Sequence, residues 1–262
     1  MNTILSLTEQ LIQSANNHFS VYNQLYQEGM ELVEQSEYLY LYPMNQPNRY
    51  LAILEQRDIE RLERMWLFSQ NVLFQAEEVS FQPLIERAWM VCGIVDVKGH
   101  KQEQALLENN ELAVHHDIRF LFLAGIQLSD LQQATDMAIE YSKVRKTFGV
   151  PIHQHQLVSN ALVLGATEYN ANKLYLLQLA KQVGDGYAHA TQEIPKLRMI
   201  ASSNCATVDQ VAPVLGAYSF TEESGMNEHI VVLHKWSVIM NSLKEWEQVG
   251  TYGEIHLDDT SA

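Results

Sequence analysis

Apolar residues recur at helical spacing along most of the chain. Ile4, Leu5, Leu7, Leu11 and Ile12 share one face, with Thr3 placed to cap the first turn. A second helical stretch, 21–41, carries Leu25, Met30, Leu32 and Val33. It runs into Tyr38, Leu39, Tyr40, Leu41 and Tyr42, where Tyr alternates in period 2, and then breaks at Pro43 and Pro47. The pattern predicts another helix over 50–75, supported by Glu60 and Arg64 at i, i+4. The periodicity weakens over 79–117, where Trp89 to Val95 reads as one or two short strands and Gly99 as a turn. Beyond it the pattern is strongly helical. Leu121, Phe122, Ile126, Leu128, Leu131, Ala134, Met137 and Ala138 mark a helix over 118–144. Gly149 and Pro151 break it. A long helix follows over 154–184, ended by Gly184 and Gly186. A third runs from Pro195 to about 215, and a fourth from about 227 to 249. Four long helices with short connections predict a bundle.

Composition narrows the function. The 262 residues carry a formal charge of −15, which excludes a nucleic-acid binder that must neutralise phosphates with a basic face. Twelve Gly and six Pro are few for this length and suit helices better than a many-turned β protein. Cys92 and Cys205 stand alone, so no disulfide framework or zinc ribbon is expected. No apolar run reaches the roughly 18 residues of a membrane span. The N-terminus lacks the basic start of a signal peptide. The expected location is cytoplasmic, with no membrane partner.

The densest chemistry lies between the first two bundle helices, in Glu140-Tyr141-Ser142-Lys143-Val144-Arg145-Lys146-Thr147-Phe148-Gly149-Val150-Pro151-Ile152, followed by His155 and Gln156. A guanidinium at Arg145 offers a fork that grips phosphate bidentately. Phe148 offers a ring face. Gln156 offers one donor and one acceptor to the edge of a purine. The plainer alternatives are an arginine paired with a helix dipole and a phenylalanine anchored in the core. His153-x-His155 and His115-His116 raise the question of a metal, but no carboxylate joins them at ligand spacing, and no metal is expected.

This stretch resembles the acyl-CoA dehydrogenase family. Its C-terminal helical domain carries Tyr-Ala-x-x-Arg-x-x-Phe-Gly, a Pro-Ile-like pair, and a Gln on the next helix. The similarity extends over about 117–223, including Gly125 and Thr221-Glu222-Glu223. The resemblance implies that Arg145, Thr147, Phe148 and Gln156 contact the ADP part of an FAD held mainly by a neighbouring subunit. The implied architecture is all-α: an N-terminal helical domain (1–78), a reduced linker and vestigial β segment (79–117), and a C-terminal four-helix bundle (118–262). The middle β domain of complete members would then be largely missing. A truncated member of this kind is expected to form a dimer, either with itself or with a full-length acyl-CoA dehydrogenase.

The departures bear on catalysis. Members place a Glu near the C-terminus that removes the α-proton of an acyl thioester. With the register set on Gly216 and Thr221-Glu222-Glu223, Pro213 stands for the usual Gln and Gly216-Ala217-Tyr218-Ser219 for Gly-Gly-x-Gly. Val231-Val232 stands for Arg-Asp, and Met240-Asn241-Ser242 for Glu-Gly-Thr. Met240 cannot act as a base, and Glu245 and Glu247 replace it only if the register slips. The expected function is a subunit that supports FAD-dependent α,β-dehydrogenation of an acyl thioester by a complete homologous partner. The alternative is a non-catalytic helical binding protein that has lost flavin chemistry.

Overall fold

The computed structural model describes residues 38–55, 59, 60, 62, 66–69, 72–86, 90–105, 110–185 and 193–244. The helices expected over 3–18 and the first part of 21–41 lie outside the described residues, as do Glu245 and Glu247. Most of the described chain is helical, with a small β part ahead of the bundle.

The β part is a closed barrel of five strands in the order β1-β2-β5-β4-β3. These are β1 (Tyr38–Pro43), β2 (Arg49–Glu55), β3 (Trp66–Ser69), β4 (Val72–Glu86) and β5 (Met90–Ala105). All neighbours are antiparallel except β1 and β3. The helix expected over 50–75 is therefore corrected, as is the helical end of 21–41. Strands are not confined to 79–117 but begin at Tyr38, and the last part of that segment, from Asn110, is already helix.

The reason is visible in β2. Ala52 and Leu54 point into the barrel core with Leu39, Leu41, Leu67, Phe74, Val95 and Val97. Leu51 and Ile53 point the other way and join the helical core with Tyr42, Ile85 and Cys92. A strand buried on both faces reads as a continuous apolar run, which periodicity cannot tell from a buried helix. The β4–β5 hairpin bends at two register shifts, Gln75/Ala76 and Pro83/Ile85. Opposite Pro83 stands Gly93, where a Cβ would strike the Gln82 carbonyl and the Phe81 ring. Gly93→Ala is expected to lower stability by about 1–3 kcal/mol, read as a shift of the denaturation midpoint.

The bundle comprises α1 (Asn110–Val144), α2 (Gln156–Gly184), α3 (Ile194–Val211) and α4 (Met226–Ser242). Pro195 sits in the first turn of α3, where a missing N–H costs nothing. Between α3 and α4 the expected third helix tightens into 3-10 turns over Ala212–Phe220, kinked at Gly216 with φ 63°. Buried polar pairs fix the packing. Asn172 donates to Asn204 across α2 and α3 at 2.7 Å. His229 of α4 meets Asp130 of α1 at 2.9 Å. No described helix is long and apolar enough to cross a membrane.

The end of α4 docks on the barrel. The Asn45 and Lys244 amides donate to the Ser242 and Pro43 carbonyls at 2.9 and 2.8 Å. The Lys235 ammonium donates to the Leu84 carbonyl at 2.6 Å. Arg198 of α3 donates to the Met240 and Leu243 carbonyls at 3.1 and 2.9 Å. It thereby satisfies carbonyls that a helix end leaves open.

Candidate functional site

The α1–α2 connection folds as a two-residue hairpin. Two short strands, β6 (Lys146–Thr147) and β7 (Val150–Pro151), pair antiparallel around Phe148 and Gly149. Both turn residues have positive φ, 54° and 85°. Such a primed turn normally takes Asn or Gly at its first position, because a Cβ is crowded there. Phe148 occupies it with a side chain that is 99% exposed. A strained backbone that presents an aromatic ring to solvent marks Phe148 as a candidate binding residue.

The surrounding groups hold this hairpin still. The Arg145 amide donates to the Tyr141 carbonyl, and the Ile152 amide donates to the Arg145 carbonyl, both at 2.9 Å. Thr147 Oγ1 and His155 Nε2 lie 2.7 Å apart, and the His155 ring meets Phe148 edge-on with centroids 6.5 Å apart. His153 Nδ1 faces the Ser142 carbonyl at 3.2 Å. The two histidines thus bond to different partners. The described part of the His115-His116 pair is backbone alone.

Arg145, Thr147, Phe148 and Gln156 are brought together within this one connection. Arg145 and Gln156 are exposed, and neither side chain hydrogen-bonds to a described residue. Thr147 is half-buried and bonded to His155, so its hydroxyl orients the ring beside Phe148. A free guanidinium, a presented aromatic face and a free amide suit a phosphate, a base plane and a base edge respectively. The donor set therefore fits the ADP end of a dinucleotide. Its full exposure on one side fits a ligand approached from outside this chain.

The other half of the expected chemistry is absent from its position. Met240 is 5% exposed and lies in the core, at the helix end capped by Arg198. Val232 is buried, and Val231 faces outward. Met240→Glu would bury a carboxylate among apolar groups. It is expected to lower stability by about 3 kcal/mol or more, and a melting curve checks this. Of the Gly216–Ser219 segment, Tyr218 stacks on Tyr141 of α1 with centroids 6.0 Å apart. This contact places the two segments flagged in the sequence side by side, one helical turn before Arg145. More than four turns earlier on α1, Gly125 is buried, yet a Cβ there would meet open space.

Sequence reasoning missed one cluster between α3 and α4. Cys205 Sγ lies 3.3 Å from His234 Nδ1, and His234 Nε2 lies 2.9 Å from Asp209 Oδ1. Cys205 and Asp209 are four apart on one helix, and that spacing was the available signal.

The acyl-CoA dehydrogenase C-terminal domain family model matches residues 119–239. No curated protein matches the sequence. Among solved structures, the ChsE4-ChsE5 complex from Mycobacterium tuberculosis is similar at 15% identity and TM-score 0.53, covering 78% of this chain and 59% of that one. Glutaryl-CoA dehydrogenase from Mycobacterium smegmatis is similar at 13% identity and TM-score 0.52, covering 78% and 61%. The FAD complex of PigA is similar at 12% identity and TM-score 0.59, covering 91% and 80%. The chain thus spans about three fifths of the first two, and these likenesses establish the fold alone.

Proposed function

We propose that this chain, whose residues 119–239 match the acyl-CoA dehydrogenase C-terminal domain, serves as a subunit lending an FAD-binding hairpin to a complete homologous partner. The observation that carries this reading is the pairing of a retained hairpin with a missing base. Phe148 is held exposed at a conformational cost, while Met240 has merged into the core.

The roles follow from the side chains. Arg145 grips the pyrophosphate, Phe148 packs on the adenine face, and Gln156 reads its edge. Thr147 orients His155 and, through it, the Phe148 ring. FAD, when bound, supplies the acceptor for the hydride leaving the acyl β-carbon. The base for the α-proton comes from the partner, and the reaction is α,β-dehydrogenation of an acyl thioester. The likeness in fold to the FAD complex of PigA and to the ChsE4-ChsE5 complex supports this reading.

Co-purification with a full-length homologue tests the proposal. A complex that carries flavin and loses it on Arg145→Ala supports it. Unchanged flavin content and activity in Arg145→Ala would sink it. The second reading, a non-catalytic helical binding protein, is favoured by Met240 alone. It predicts a colourless protein in every combination.

A further inference from the structure

We propose that Cys205 is a nucleophilic thiol that accepts an acyl group from an acyl thioester, with His234 as its base and an apolar groove on α4 as the seat of the chain. The site lies on α3 and α4, away from the Arg145 hairpin, and does not depend on the FAD reading.

The geometry carries the thiol's part. A nucleophile needs a base within hydrogen-bond reach and a third group that orients that base. Cys205 Sγ, His234 Nδ1 and Asp209 Oδ1 stand in that order, with separations of 3.3 Å on one side of the ring and 2.9 Å on the other. Asp209 fixes the tautomer that leaves Nδ1 free to accept the thiol proton. Burial, and then the Asp209 charge, hold the Cys205 thiol above its ordinary range. The resting sulfur is therefore a thiol, and its proton moves during attack. The three groups also lie within 4.8 Å of one another, the spacing of a metal cluster. The two ring nitrogens of His234 bond to different partners, the arrangement of a base held by an orienting carboxylate.

The groove supplies the substrate class. Leu84, Ile230, Val231, Val238 and Ile239 line an open cavity of about 400 Å³, and His234 and Lys235 complete its wall. Lys235 is tied to the Leu84 carbonyl, so the interior stays apolar. Val231 and Val238 are exposed, one on each side of His234 in sequence. An aliphatic chain laid there brings its carbonyl to the imidazole edge. A thioester is the acyl donor that asks least of such a site, because its leaving thiolate is as good a leaving group as the attacking one.

The step balances without an oxidant. Sγ of Cys205 bonds to the acyl carbon while His234 takes the thiol proton. The C–S bond of the donor breaks, and the proton passes from His234 to the departing thiolate. One thioester is exchanged for another. Cys205 is thereby left as an S-acyl cysteine. The other cysteine, Cys92, is buried, and its burial pushes the thiol far up, so it does not compete.

The full chain incubated with dodecanoyl-CoA is expected to gain one dodecanoyl group on Cys205. Peptide mass spectrometry locates it, neutral hydroxylamine removes it, and an equal amount of free CoA appears. Cys205→Ser abolishes the adduct. His234→Gln slows its formation about 100-fold, the scale of a lost general base. Asp209 is a positioning residue: Asp209→Asn slows acylation, and Asp209→Glu recovers part of the rate. Val238→Asp removes the preference for dodecanoyl-CoA over acetyl-CoA. No adduct on Cys205, or an adduct formed equally fast in a folded His234→Gln variant, overturns the proposal. Equal rates for the two donors in the unaltered chain overturn the role of the groove.

Discussion

Arg145→Ala is expected to reduce the affinity of the assembled complex for FAD about 10- to 100-fold, with no change in melting temperature. The loss corresponds to one charge-assisted contact to phosphate, worth about 1.5–3 kcal/mol. Stability holds because the guanidinium is exposed and bonded to no described residue. Flavin absorbance per subunit after gel filtration measures the first effect, and a thermal melt measures the second. Phe148 sharpens the test because its two effects have opposite signs. Phe148→Asn relieves the backbone at φ 54° and is expected to raise stability by about 1 kcal/mol. The same change removes the ring that packs on the base and lowers flavin retention. A merely structural role for Phe148 predicts that binding and stability move together.

The largest stability effect is expected at Trp236. It is 1% exposed on α4, in the core shared by the bundle and the outward faces of the barrel strands. Trp236→Ala removes a large buried ring and is expected to destabilise the chain by about 3–5 kcal/mol. The melting temperature should fall by about 10 °C. Trp236→Phe is expected to cost far less, about 1–2 kcal/mol. The indole Nε1 is buried without a hydrogen-bond partner among the described residues, so losing that donor relieves an uncompensated desolvation. Comparing the two denaturation midpoints separates packing from polarity. Both variants leave the Arg145 hairpin untouched in sequence, which makes them controls for the flavin measurements.

The helical bundle was legible because its signals are local. Apolar spacing along α1 and α2, Pro195 opening α3 and the turn at Gly149 each act within a few residues. The start of the barrel was not legible because β2 is buried on both faces. Leu51-Ala52-Ile53-Leu54 shows no alternation when Leu51 and Ile53 meet the bundle while Ala52 and Leu54 meet the barrel core. Two segments did carry a strand signal: the Tyr38–Tyr42 alternation, with Tyr42 buried in β1, and the run from Trp89 to Val95, most of which lies in β5. The hairpin residues were legible as a motif, but the strain on Phe148 required coordinates. The Cys205–His234–Asp209 cluster was hidden because α3 and α4 bring together residues some 29 apart in sequence. Charge, composition and motif searches see neighbours along the chain, not across a helix pair.

The central claim is that this chain lends one half of a flavin site and lacks the other. The most direct measurement is the visible spectrum of the chain, alone and co-purified with a full-length homologue, each after incubation with FAD and gel filtration. The chain alone is expected to show no flavin band. The complex is expected to show a flavin band that Arg145→Ala in this chain diminishes. A colourless complex, or a complex whose flavin band is indifferent to Arg145, would contradict the claim.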